Sequence, residues 1–394
     1  MLKTRSVNWF DVPVGYKRPG GKTSIEVSTS INDVRNWLSE SGANIFVKQS
    51  RGFYIALGTL IAGAITSVTG FLKDNPLAKW LGGIVSALGA GLIAYTKLFS
   101  VEYNFLDEAR KSAILAPNKN VRYTPEKFNL PHEEVSIKPS QFLHGANKNV
   151  ELKGYFLPSP IDSDKVIIVL NGREHNNDHV ISMLEELIKE EVPANYLFVD
   201  YPGVGKSTGK VNLEETIDCT EAAYKYLISK KENGGRGFNP ENVCVLGASF
   251  GGGVALQLAN RIDVPLRCLL IQSSFSSLSR IATEVLNIFP KPVARFLGWL
   301  LDPGFNSLEA IKTAKAKHIL ISHGDVDPSM GIQHAYDLES AAKEGGKEAK
   351  LLILEGADHT NFPFFYGKQK GVYDTIRESV GIQKKSDFMA KKAA

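Results

Sequence analysis

Apolar and polar positions change texture three times along the 394 residues. Residues 1–50 mix both kinds without a period, and "VGYKRPGGKTS" reads as loop. Two long apolar stretches follow. "FYIALGTLIAGAITSVTGFL" runs from Phe53 to Leu72 without a charge, and so does "WLGGIVSALGAGLIAYT" from Trp80 to Thr96. At about 1.5 Å per residue, helices of this length approach the ~30 Å hydrocarbon thickness of a bilayer. Gly58, Ala62 and Thr66 recur at every fourth position, as do Gly82, Ser86 and Ala90, a spacing that lets two helices approach closely in lipid. Phe53, Tyr54, Phe71, Trp80, Tyr95 and Phe99 mark the ends like interfacial belts.

The pattern predicts a hydrophobic helical hairpin over 51–99, anchoring the chain in a membrane through residues 53–72 and 80–98. Both termini would then lie on one side. Lys48, Arg51 and Lys97 flank that side and make it cytoplasmic, whereas Lys73 and Lys79 in the connector leave room for a hairpin that enters one leaflet and returns. The competing expectation is a Gly/Ala-rich helical pair packed on the soluble part.

Residues 100–134 read as a linker, since "PNKNVRYTPEKFNLPHEE" is rich in proline and charge. Beyond it, short apolar runs alternate with helical patterns. "VELKGYFL", "KVIIVLNG", "NYLFVD", "NVCVLGA", "RCLLIQ", "KHILISHG" and "KLLILEG" read as strands. Helices are expected from about Asp178 to Glu190, after Asn212 as N-cap, after Ser249 and near 331–344. Near-continuous apolar strands between helices mean a mostly parallel, doubly wound α/β sheet covered on both faces. This domain is expected over 135–385, with a frayed tail at 386–394.

Composition changes this picture little. Hydrophobic content of 43% and charge of 22% are ordinary for a globular protein. A net charge of +4 without a dense basic block argues against nucleic acid as a partner. Cys219, Cys244 and Cys268 are odd in number and far apart, so buried reduced thiols in a reducing compartment are expected. The first residues carry no apolar run, and no cleavable signal peptide is expected.

Two motifs compete for the chemistry. "GVGKST" (203–208) resembles the tail of a phosphate-binding loop. Five residues before Gly205, however, stands Asp200, a carboxylate where the anion's cradle should begin, and the next helix starts too late to point its N-terminus at a phosphate. The second motif, "GASFG" (247–251), is G-x-S-x-G running from strand through tight turn into helix. A nucleophilic serine needs a base, and the base an orienting group. "SHGDVD" offers Asp325 and Asp327 after one later strand, and "GADH" offers His359 after the next.

The order Ser, Asp, His on loops after successive strands resembles the α/β-hydrolase-fold serine hydrolases, in particular their esterase, lipase and thioesterase branch. "GASFGGG" is similar to that family's nucleophile elbow, "HGDVD" to its acid turn and "GADH" to its histidine loop. "VDYPGVGKSTG" is similar to its D-Y-x-G-x-G-x-S turn, which makes Lys206 a solvated loop residue. The resemblance covers residues ~135–385. It implies Ser249 as nucleophile, His359 as base and Asp327 as acid, with Asp325 as runner-up. It implies an oxyanion hole of backbone N–H groups from Phe250 and Arg173, where this chain has Asn171-Gly172 in place of the family's His-Gly. It also implies a cap over residues 276–307, whose apolar residues would cover an acyl pocket.

No cofactor is required, and "HNNDH" (His175 to His179) lacks the spacing and third ligand of a metal site. The expectation is a membrane-tethered serine hydrolase cleaving an ester or thioester of a lipid or lipid-modified protein, with its hydrolase domain on the cytoplasmic side. The resemblance extends to peptidases as well. The alternative is a membrane-anchored scaffold on a catalytically inactive α/β-hydrolase fold.

Overall fold

The computed structural model describes residues 124–173, 175–285, 291–292, 305–359, 361, 366–367 and 369–393. The two apolar stretches at 53–72 and 80–98 lie outside them, as does most of the expected cap. Among the described residues no helix is long and apolar enough to cross a membrane.

Eight strands form one sheet in the order β1-β2-β4-β3-β5-β6-β7-β8. They are β1 (Glu133–Ile137), β2 (Leu152–Leu157), β3 (Val166–Leu170), β4 (Asn195–Val199), β5 (Val243–Ala248), β6 (Leu266–Gln272), β7 (Ala316–Gly324) and β8 (Ala349–Leu354). β2 runs antiparallel to β1 and β4, and the six strands from β4 to β8 are mutually parallel. All five residues of β3 are buried. Val166, Ile168 and Leu170 enter one apolar layer, while Ile167 and Val169 enter the other. This is why the central strands read as unbroken apolar runs rather than alternating ones.

Helices cover both faces. α1 (Asn177–Met183) lies on one, and α2 (Leu213–Ile228) and α3 (Phe250–Arg261) on the other. Then come α4 (Leu278–Val285), α5 (Ser307–Thr313), α6 (Gln333–Glu344), α7 (Val372–Val380) and α8 (Lys385–Ala393). α2 begins where the sequence places it: the Asn212 side chain accepts a hydrogen bond from the Glu215 N–H. Between β6 and β7, Ser277 and Asn306 form an antiparallel bridge.

Three boundaries differ from the expectation. The folded region begins before 135: Pro125–Phe128 forms a tight 3-10 turn, Leu130 is buried, and β1 opens at Glu133. The helix expected from Asp178 to Glu190 breaks after Met183 and ends in a wide π turn, Leu187–Glu191. The tail is helical as α8. Its entrance is held by Lys384 on Glu191 at 2.7 Å and Lys385 on Glu190 at 3.0 Å.

Candidate active site

Ser249 stands between β5 and α3 with φ 53° and ψ −117°, a conformation that L-residues rarely adopt. Such strain persists only where the surroundings over-determine it. Here the neighbouring strand end does so. The Ser249 N–H donates to the Gln272 carbonyl at 2.8 Å, and the Ser274 hydroxyl donates to the Ser249 carbonyl at 2.8 Å. The elbow also needs close backbone approach. A Cβ on Gly251 would stand 2.2 Å from the Leu170 carbonyl oxygen, and one on Gly247 would stand 2.3 Å from the Gly251 carbonyl oxygen. The turn thrusts the Ser249 side chain out above the N-terminus of α3, where the helix presents partial positive charge.

His359, on the loop after β8, lies with Nε2 3.0 Å from Ser249 Oγ. Its Nδ1 is 2.7 Å from Asp327 Oδ2. A carboxylate only accepts, so the proton of neutral His359 belongs on Nδ1, which leaves Nε2 as acceptor for the Ser249 hydroxyl. Asp327 is itself fixed: its Oδ1 accepts from the backbone N–H groups of Ser329 at 2.8 Å and Met330 at 2.9 Å. Its side chain is fully buried, whereas that of His359 is 18% exposed, so solvent meets the base and not the acid. Asp325 is turned to another task. It is exposed, and its Oδ1 accepts from the Gly356 N–H at 2.6 Å, pinning the β7 and β8 turns together.

A further histidine backs the acid. His323 is fully buried, with Nε2 2.9 Å from the Met330 carbonyl and 3.6 Å from Asp327 Oδ2. Burial holds its pKa below the ordinary histidine value, so it stays neutral and donates from Nε2 to that carbonyl.

The loop after β3 brings Gly172 against the elbow. A Cβ there would be 3.5 Å from the Ser249 Cβ and 3.2 Å from His175 Nδ1. Arg173 follows in a turn, its side chain exposed, and Phe250 is the first residue of α3. A first-turn N–H of a helix has no partner within the helix. Of the two groups expected to serve as oxyanion donors, Phe250 directly follows Ser249 in the chain, and Arg173 follows the Gly172 that lies against the elbow.

The stretch that resembled a phosphate loop holds this same loop in place. Asp200 is buried, and its Oδ1 accepts from the Asn177 N–H at 2.8 Å. The Tyr201 hydroxyl donates to the Asn171 carbonyl at 3.0 Å, and Asn171 Nδ2 donates to Asn177 Oδ1 at 3.1 Å. Burial pushes the Tyr201 pKa up, so its hydroxyl keeps the proton it donates. Gly205, at φ 51°, is required because a Cβ would stand 2.0 Å from Asp200 Oδ2. The carboxylate that argued against a phosphate thus has a structural use that motif reading missed. Lys206 is exposed and pairs with Glu134 at 3.3 Å.

The comparisons agree with this architecture. The prolyl oligopeptidase family model matches residues 206–389. The Escherichia coli K12 protein YfhR is 27% identical over 220 residues, covering 54% of this chain and 71% of its own. Protein bem46 of Schizosaccharomyces pombe is 21% identical over 207 residues, covering 52% of this chain and 63% of its own. Among solved structures, an α/β hydrolase from Vibrio vulnificus superposes with a TM-score of 0.53 at 18% identity, covering 71% of this chain and 94% of that one. An esterase from Pyrococcus furiosus superposes with a TM-score of 0.51 at 18% identity, covering 68% and 97%. Strand order, elbow and the solved neighbours agree on an α/β-hydrolase fold, and the similarity to the prolyl oligopeptidase family supports a serine hydrolase on it.

Proposed function

We propose that the chain is an active serine hydrolase of carboxylic esters or thioesters, working through Ser249, His359 and Asp327. The observation that carries this reading is the unbroken hydrogen-bonded line from Ser249 Oγ through His359 to Asp327. As Ser249 Oγ attacks the substrate carbonyl carbon, His359 Nε2 takes its proton, and Asp327 stabilises the imidazolium through Nδ1. The carbonyl oxygen gains negative charge beside the N–H groups of Phe250 and Arg173, where one such donor is typically worth ~2.7–4 kcal/mol of barrier. His359 then protonates the leaving alkoxide or thiolate, and an acyl-Ser249 ester remains. Water, deprotonated by the same Nε2, releases the acid and restores the serine.

The substrate is a lipid or a lipid-modified protein in the membrane that residues 53–72 and 80–98 enter, with the hydrolase domain on the cytoplasmic side. What supports this is the pair of uncharged stretches ahead of the domain, which would keep the site near acyl chains. The match to the prolyl oligopeptidase family favours a second reading, amide cleavage in a peptide by the same three groups.

A fluorophosphonate probe tests the core of the proposal. Wild type should label, while Ser249→Ala and His359→Ala should not. Labelling that survives Ser249→Ala would place the nucleophile elsewhere, and a wild type that never labels would favour the inactive scaffold. Comparing p-nitrophenyl acyl esters with peptidyl p-nitroanilides then separates the two readings. Carbonate-resistant sedimentation of the full chain with membranes, lost on deleting 51–99, checks the anchor.

A further inference from the structure

Gln272 closes β6 directly beside the elbow, and it is fully buried. Its backbone carbonyl accepts the Ser249 N–H at 2.8 Å. Its side chain faces away into a polar knot that the reaction steps do not use. Oε1 accepts from the Ser322 hydroxyl and the Tyr366 hydroxyl, which themselves stand 3.1 Å apart. Nε2 donates to Ser273 Oγ at 2.7 Å. Ser273 is one of the few non-glycine residues with positive φ, at 42°, and its N–H donates to the Ser322 carbonyl at 2.8 Å.

These partners come from different parts of the chain. Ser322 is five residues ahead of Asp327 on β7, Tyr366 is seven residues beyond His359, and Gln272 itself holds the Ser249 backbone. One amide therefore ties together the three segments that carry the nucleophile, the base and the acid. Ser322, Tyr366 and Gln272 are all buried. In so dry a place each hydrogen bond is stronger and each unmet polar group costs more, so the knot has little freedom to settle elsewhere. Burial also pushes the Tyr366 pKa up, and its hydroxyl remains a donor.

We infer that Gln272, through Ser322 and Tyr366, is the positioning residue that sets the reach of His359 to Ser249. This rests on the catalytic reading above. It predicts an effect on turnover that is separable from stability. A single Gln272→Leu change takes the shared acceptor from the Ser322 and Tyr366 hydroxyls and the donor from Ser273 Oγ, and should lower both turnover and stability. In the triple variant Gln272→Leu/Ser322→Ala/Tyr366→Phe only Ser273 Oγ stays polar in the knot, and removing paired groups together costs much less than breaking a pair.

The test uses the full chain in detergent and compares wild type, the single variant and the triple variant. It reads thermal midpoint, fluorophosphonate labelling rate, and kcat and KM on a short p-nitrophenyl ester. The expected result is a triple variant with its midpoint back near that of wild type. Its labelling and kcat should stay at least ~10-fold slow, because displacing catalytic groups by about an ångström costs that much or more. KM should change less than about twofold, since substrate binding is untouched. Recovery of labelling and kcat together with the midpoint would overturn the inference and leave the knot a fold element. A wild type that fails to label would overturn the catalytic reading and this inference with it.

Discussion

His323 and His334 lie on either side of Asp327 in the chain, and both are fully buried. His334 sits under α4: its Nδ1 accepts the Ser276 N–H at 3.1 Å, so its proton is on Nε2, 3.1 Å from Glu284 Oε2. Arg280 and Asp337 complete its charged surroundings, while His323 faces Asp327 and His359. In both, burial outweighs the nearby carboxylate and holds the pKa below the ordinary histidine value. The sign follows from proton counts. As pH falls through about 6.5 the unfolded chain takes up protons that the native histidines refuse, so stability drops. It rises again with pH and levels off above that value. Each histidine contributes a slope of at most ~1.4 kcal/mol per pH unit between its native and unfolded pKa. Urea unfolding at pH 7.5, 6.5 and 5.5 should show this loss, and His334→Gln should flatten it. A wild type equally stable at all three pH values would show that the burial is not holding these rings neutral.

At the scale of single elements, the N-cap of α2 offers a clean measurement. Asn212 accepts the Glu215 N–H at 3.2 Å, and Asn212→Ala should cost about 1 kcal/mol of unfolding free energy. A change in chemical denaturation too small to measure would mean that water replaces the cap. The elements visible in the sequence are those whose own residues dictate them. β3, β5 and β6 are apolar on both faces, and α2 announces itself by cap and period. Ser249, Asp327 and His359 were visible for a related reason: each follows the end of such a strand, and parallel strands bring their carboxyl ends to one rim. β1 escaped notice because only Val135 and Ile137 point inward, on five residues at the sheet edge. α8 escaped because its entrance is held by ion pairs to Glu190 and Glu191, almost two hundred residues earlier. Gln272 and Tyr366 carry no local pattern, since their meaning lies in a contact that only the finished sheet creates.

Across the whole molecule, the site is a product of the sheet rather than of any one segment. The nucleophile comes from the end of β5, the acid from the turn after β7 and the base from the loop after β8, while Asp200 and Tyr201 after β4 hold the loop after β3. The three cysteines belong to the same interior. Cys219 is on α2, and Cys244 and Cys268 are register partners on β5 and β6. All are buried, and burial pushes Cys244 up to about 12 and holds Cys219 and Cys268 well above the ordinary thiol value too. Since the chain has no other thiols, a maleimide or iodoacetamide meets nothing reactive while the domain is closed. Alkylation should then advance only when the domain opens, at a rate that climbs with urea alongside unfolding. Rapid uptake of one equivalent by the native protein would reveal a local breach at that cysteine. The chain thus carries its own stopwatch, with covalent mass as the hand and the opening of the sheet as the interval it times.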